Sequence, residues 1–398
     1  MLGTGLLLAF IFLLCLLRER RHAAIGAGAP TAVSEVSSSP SDASAAERAR
    51  RAAIAALGPI KHKGVNAADL YRNAMGLYAG LTDAEKNLLK HWREKQDPKS
   101  AAALYAKIQP IMDLLRSARK ADYVDWALEP MTLEDSSNKA AQLTQTQHLA
   151  VLAAWDSNYR FQSDPDGAVG DVAAMEAMGR TANGNLIGLL VEEGIHGMGI
   201  TVLAQNAGSI TGAAGPDLGY IVNPASAGQS FQDGMDGEAA MLQAELDDYA
   251  NPATRNESYV QRWVSSLSMT PQEAESEMEW TMQMEEELGK TLMEPQAQFQ
   301  QWWTQKLSEA PSMPLIKISI QAVAGVRTSA QASLAQSAML EAGLALEQND
   351  KAGFQAILDP VSGRPFTYKQ PANGFQLASA LVRNGKPVTL SFPAPVAK

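Results

Sequence analysis

Apolar residues recur at spacings of three and four almost without interruption from about residue 65 to 348, the period of one helix face. Thr82-Asp83-Ala84-Glu85 has the form of a capping box opening a helix through Leu88, Leu89 and Trp92. Pro98 suits the first turn of the next helix, whose stripe is Leu104, Tyr105, Ile108, Ile111, Met112 and Leu115. Thr270-Pro271-Gln272-Glu273 combines an N-cap, a first-turn proline and a third-position glutamate. A helical hairpin is predicted from a helix over 139–161, a corner at Ser163-Asp164-Pro165-Asp166, and a second helix carrying Val169, Val172, Met175 and Met178. Its form is similar to a tetratricopeptide-like pair, but no clear repeat of that period runs along the chain. The fold class expected is mainly α: an irregular helical array over 59–350.

The pattern changes at both ends. Leu2 to Leu17 is an uncharged, nearly continuous apolar run. As a helix it reaches roughly 24 Å, slightly short of a hydrocarbon core that flanking Arg18 and Arg20 can snorkel to bridge. It reads as a transmembrane anchor with a basic flank over 1–22. The alternatives are a signal peptide cut near Ala27-Gly28-Ala29, or a buried core helix. A flexible linker rich in Ala, Gly, Ser and Pro follows over 23–58. At the other end, Phe366 and Tyr368, then Phe375 and Leu377, alternate with polar residues. Ser362-Gly363 supplies a turn, so a C-terminal β-hairpin tail is expected over 351–398.

Composition narrows the function classes. The net charge is −10, with the basic excess near the N-terminus, so the body is acidic and unsuited to nucleic acid. Residues 233–294 hold fifteen Asp or Glu against three Lys or Arg. This reads as a solvated acidic helical face, or as a docking surface for a protein partner. Cys15 is the sole cysteine and lies in the apolar run, so the body forms no disulfide. Residues 207–237 are dense in Gly and Pro and read as a long loop.

Candidate chemistry is sparse. Glu192, Glu193 and His196 form a Glu-x-x-His unit, the helical metal-binding spacing of carboxylate-bridged di-iron bundles. A second such unit is absent from the helical body over 59–350, so hydrogen bonding of His196 competes with a metal role. Gly184 and Gly188 sit in a helical pattern, where close helix packing is expected. Asp233 to Glu238 has some of the look of a calcium loop, but Gln243 stands where the bidentate glutamate belongs. Met278, Met282 and Met293 near Trp280, Trp302 and Trp303 read as core, with an adaptable groove as the alternative. No catalytic residue, cofactor or cofactor-binding residue is predicted.

Three separated motifs carry a resemblance. Asn66-Ala67-Ala68-Asp69-Leu70-Tyr71 opens the body. Gln109-Pro110-Ile111-Met112-Asp113-Leu114-Leu115-Arg116, followed by Asp125-Trp126, comes next. The helix from Ala330 to Glu347 leads to the Asp359-Pro360 tail ending at Ser379. Together these resemble a family of uncharacterised bacterial proteins with an N-terminal membrane anchor and a helical extracytoplasmic body. The tail is also similar to that of type II secretion pseudopilins, but their N-terminal cleavage signature, with glutamate at the fifth helical position, is missing here. The resemblance implies a single-pass protein of the inner membrane with its body outside the cytoplasm. Arg18, Arg20 and Arg21 argue for the opposite orientation by the positive-inside rule. The expected role is protein binding or scaffolding in the cell envelope. A metal-dependent enzyme and a secretion-apparatus component are the alternatives.

Overall fold

In the computed structural model, residues 63–394 are described apart from 95, 127–132, 183–185, 224–231, much of 238–268, 292–293, 295 and 310–313. The predicted anchor over 1–22 and linker over 23–58 lie outside the described residues. The body is mainly helical, with a small antiparallel sheet at its C-terminal end.

The helices are α1 (Ala67–Ala79), α2 (Asp83–Lys90), α3 (Pro98–Ala118), α4 (Leu133–Arg160), α5 (Pro165–Thr181), α6 (Leu186–Gln205), α7 (Gly215–Val222), α8 (Pro271–Thr291), α9 (Gln296–Glu309), α10 (Pro314–Glu347) and α11 (Lys351–Ala356). Their starts follow local chemistry. Thr82 and Glu85 exchange both bonds of a capping box, and so do Thr270 and Glu273. Asp97 and Asp164 cap α3 and α5 by accepting from Ser100 N and Gly167 N, each ahead of a proline at the first helical position. α4 and α5 pack together across a short corner, as expected for a helical hairpin.

One apolar core runs from Ala67 and Tyr71 in α1 through Ile108, Met112, Leu152, Met175 and Leu203 to Phe392 near the end of the chain. α6 is long and apolar enough to cross a membrane, yet half of its most apolar stretch is buried inside the body. Its neighbours are α4, α5 and α10, so it is a central core helix. Smaller clusters form around Phe299 and Trp303, and around Met278 and Tyr249. Trp280, Trp302 and Met282 pack against these clusters, which makes the expected Met/Trp set core; Met293 lies outside the described residues.

Two expectations are corrected. The described part of 207–237 is not a loop: two short 3-10 turns, Ala207–Ser209 and Gly212–Ala214, lead into α7, and 232–237 is helical. Thr211 caps the second turn, and Pro216 occupies the first turn of α7, so glycine and proline here mark helix starts. The same helical backbone removes the calcium-loop reading: Gln232 Nε2 donates to Asp236 Oδ1 at 2.7 Å, an i, i+4 bond.

The tail is a three-stranded sheet, not a lone hairpin. β1 (Thr367–Lys369), β2 (Gly374–Arg383) and β3 (Lys386–Pro393) pair in that order. Asn384 and Gly385 join β2 to β3 at φ 52° and 73°, the two-residue turn that matches strand twist. Phe375 faces Phe392 across the pair with centroids 4.6 Å apart, and Phe392 and Phe366 are buried. Tyr368 stacks on Phe375 with centroids 5.9 Å apart while remaining 44% exposed. The sheet rests on α10 and, through β3, on α6.

Candidate functional site

Where α5, α6 and α10 meet, polar side chains interrupt the apolar core. α6 presents Glu192, Glu193 and His196, and α5 contributes Glu176 and Arg180. Ser333 and Ser337, one turn apart on α10, complete the group around a cavity of about 30 Å³. His196 Nδ1 lies 3.1 Å from Glu176 Oε1, and His196 Nε2 lies 2.8 Å from Ser337 Oγ. Ser333 Oγ donates to Glu193 Oε2. Gly199 permits the close crossing of α5 and α6: a Cβ there would stand 2.8 Å from Glu176 Oε1 and 3.0 Å from Val172 Cγ1. Close packing therefore falls at Gly199, while Gly184 lies outside the described residues.

Enclosure sets the electrostatics. Burial pushes the Glu193 carboxyl up to about 8; the His196 charge opposes that rise, and the charges of Glu192 and Glu176 add to it. Burial alone would lower the His196 imidazole. The Glu176 charge, the hydrogen bond to it and the Glu193 charge outweigh burial, and the net direction is upward.

Of the predicted trio, Glu193 and His196 reach across to α10 and α5, while Glu192 lines the same cavity. They do not converge as metal ligands. Among the described residues, no group of three or more His, Cys, Asp or Glu is placed to hold a metal ion. Ser337, His196 and Glu176 instead stand in the order of a serine–histidine–carboxylate relay. Two features argue against acyl transfer. Ser337 sits in the interior of α10, where backbone N–H groups are committed to the helix and cannot form an oxyanion hole. The cavity, at about 30 Å³, has room for little more than a water molecule, whereas small-molecule sites run to roughly 300–1,000 Å³.

A second buried network lies between α3, α4 and α5. Gln109 Nε2 donates to Asp156 Oδ1 at 2.7 Å. Arg116 grips Asp171 through Nε at 2.6 Å and Nη2 at 3.1 Å, and Arg160 Nη1 reaches the same carboxylate at 2.8 Å. Asp156 and Asp171 are 0% and 1% exposed. Burial, then the neighbouring Asp171 charge, pushes Asp156 up to about 7.

Sequence reasoning missed Glu176, Ser333 and Ser337 as members of the first cluster. The available signal was a glutamate inside the apolar stripe of α5 and two serines four apart in alanine-rich α10. Glu277 is buried while Glu273 and Glu279 are exposed, so the glutamates of α8 spread around that helix as expected. Comparison of the chain with family models, with curated proteins and with solved structures finds no match.

Proposed function

We propose that this chain is a membrane-tethered helical protein of the cell envelope that binds a protein partner and performs no catalysis of its own. The observation that supports this reading is what the motif residues do. Asn66 caps α1 and also clamps Asp125, accepting from its N at 2.9 Å and donating to its carbonyl at 2.8 Å. Gln109 and Arg116 hold Asp156 and Asp171. Asp359 accepts from Val361 N, Ser362 Oγ, Ser379 Oγ and Ala380 N, which pins the turn to β2. Each motif is thus a joint between distant parts of the chain, as a rigid binding body requires and as an active site does not.

The tether rests on the apolar run from Leu2 to Leu17, and the extracytoplasmic placement on the family resemblance. The acidic surface of α8, where Glu273 and Glu279 are exposed, is the face proposed for the partner. Crosslinking in intact cells, followed by capture through a tag after Lys398, is expected to recover one defined protein. Recovery should fall when Glu279 is replaced by Lys. Repeated capture of no partner would sink the reading. A reporter fused after Lys398 that is active only in the cytoplasm tests the orientation, and activity there overturns the extracytoplasmic placement.

A further inference from the structure

The polar cavity between α5, α6 and α10 is closed on one side by the end of α7, where Ile221 and Asn223 join its lining. α7 packs on α5 and α10, but its own chemistry makes it a poor helix. It has eight residues, and no side chain caps its start at Ala214. Helices this short are marginal without tertiary support. Gly219 lies in its interior, exposed to solvent, where glycine lowers helix population about fivefold relative to alanine. Packing does not require that glycine. Its φ is not left-handed, and a Cβ built there meets no neighbouring atom within 4 Å.

A clasp of two arginines holds α7 down. Arg119, just past the end of α3, and Arg180, near the end of α5, both lie over the Tyr220 ring, with Cζ 5.1 and 4.0 Å from its centroid. Arg180 Nη2 also donates to the Tyr220 carbonyl at 2.9 Å, and Arg119 Nη2 donates to Asp217 Oδ1 at 2.6 Å. Arg119 and Asp217 remain 25% and 32% exposed, so water screens their attraction. Ile221 is the one fully buried side chain of α7, while Leu218, Tyr220 and Val222 are half-buried. α5 and α6 bury ten residues each, so the floor of the cavity is far firmer than this wall.

We propose that α7 is a strap over the polar cavity, which lifts as a unit from the folded body and opens the His196 cluster to small solutes. Segments that open ahead of global unfolding are those with few buried contacts, and lids are drawn from them. Lifting α7 takes Ile221 and Asn223 out of the wall and leaves Glu176, Glu193, His196 and Ser337 beneath. Arg180 joins the two parts, since it lines the cavity and also holds the Tyr220 carbonyl.

Native-state hydrogen exchange of the full-length chain, with urea raised in small steps, tests the strap. The Tyr220, Ile221 and Val222 amides are expected to exchange through an opening that urea hardly changes, while those of Val172 and Leu203 follow global unfolding. Access to the cavity is read separately, as the rate at which diethyl pyrocarbonate modifies His196, measured on its peptide by mass spectrometry. Gly219→Ala touches nothing and should slow both the α7 exchange and the His196 modification about fivefold. Tyr220→Leu removes the ring from the clasp and should speed both. If Tyr220→Leu fails to fold, Gly219→Ala carries the test alone. A urea dependence at the α7 amides as steep as that of the core would overturn the strap. So would a His196 modification rate that Gly219→Ala leaves unchanged, or one that appears only with global unfolding.

Discussion

Phe392 of β3 rests on the backbone of Gly343 in α10, and there is no room between them for a single methyl group. A Cβ at Gly343 would stand 2.0 Å from Phe392 Cζ. Gly343→Ala should therefore destabilise the protein by about 1–3 kcal/mol through overpacking. Phe392→Leu in the same chain should recover part of that loss. Urea midpoints for the two single variants and the double variant measure the coupling. Additive effects would show that the ring and the glycine do not meet.

The Asp171 carboxylate is buried beneath two arginines. Arg116→Ala leaves it with Arg160 alone and takes the nearby cation from Asp156. A loss of about 3–5 kcal/mol is expected for breaking a buried pair from one side. Asp113, 70% exposed and paired with the same arginine, should change stability by no more than about 0.5 kcal/mol when replaced by Ala. Equal losses for the two would show that burial does not govern this network.

Asp156 titrates in the folded chain near 7, against 3.8 as the ordinary value. Its stabilising contribution is complete below about pH 4 and disappears as pH rises through 7. Asp156→Asn keeps an acceptor for Gln109 and removes the charge. The slope of stability between pH 4 and 7 should then flatten by up to about 1.4 kcal/mol per pH unit. Chemical denaturation at a series of pH values reads this directly, and an unaltered slope refutes it.

The tail turn hangs on one carboxylate. Asp359 is 1% exposed and accepts from two backbone N–H groups and two hydroxyls. Asp359→Ala leaves those donors without their acceptor and should cost about 2–4 kcal/mol. Faster hydrogen exchange at the Ala380 amide would localise the loss to the joint between the turn and β2. Unchanged exchange there would show that the turn does not depend on Asp359.

Helix caps offer a local contrast. Thr82→Ala and Thr270→Ala each remove the hydroxyl of a complete capping box and should lower stability by about 1 kcal/mol. Thermal midpoints check this, and a neutral Thr82→Ala would mean that Lys107, bonded to Glu85 at 2.7 Å, holds that helix start unaided.

These features differ in how far they could be read along the chain. Capping boxes and first-turn prolines were legible because cap and partner lie three residues apart. The third strand was also legible in principle, since Asn384-Gly385 is a strong hairpin signal, but the aromatic alternation drew the prediction to Phe366 and Phe375. Tyr368 stacks on Phe375 with centroids 5.9 Å apart, yet stays 44% exposed because β1 has only three residues and lies at the sheet edge. The polar seam was hidden for another reason. Ser333 and Glu193 are 140 positions apart, and neither residue's own neighbourhood marks it as half of a pair. Glu-x-x-His identified the right turn of α6, and the hydrogen bonding weighed there for His196 is what Glu176 and Ser337 supply.

The core that starts at Ala67 is closed by Phe392, near the other end of the sequence. A chain still emerging from the ribosome therefore lacks part of its innermost wall until β3 has been made. The early helices can form as soon as they appear, but their final packing waits for the last strand. A product lacking β3 would carry an open core exposed to proteolysis.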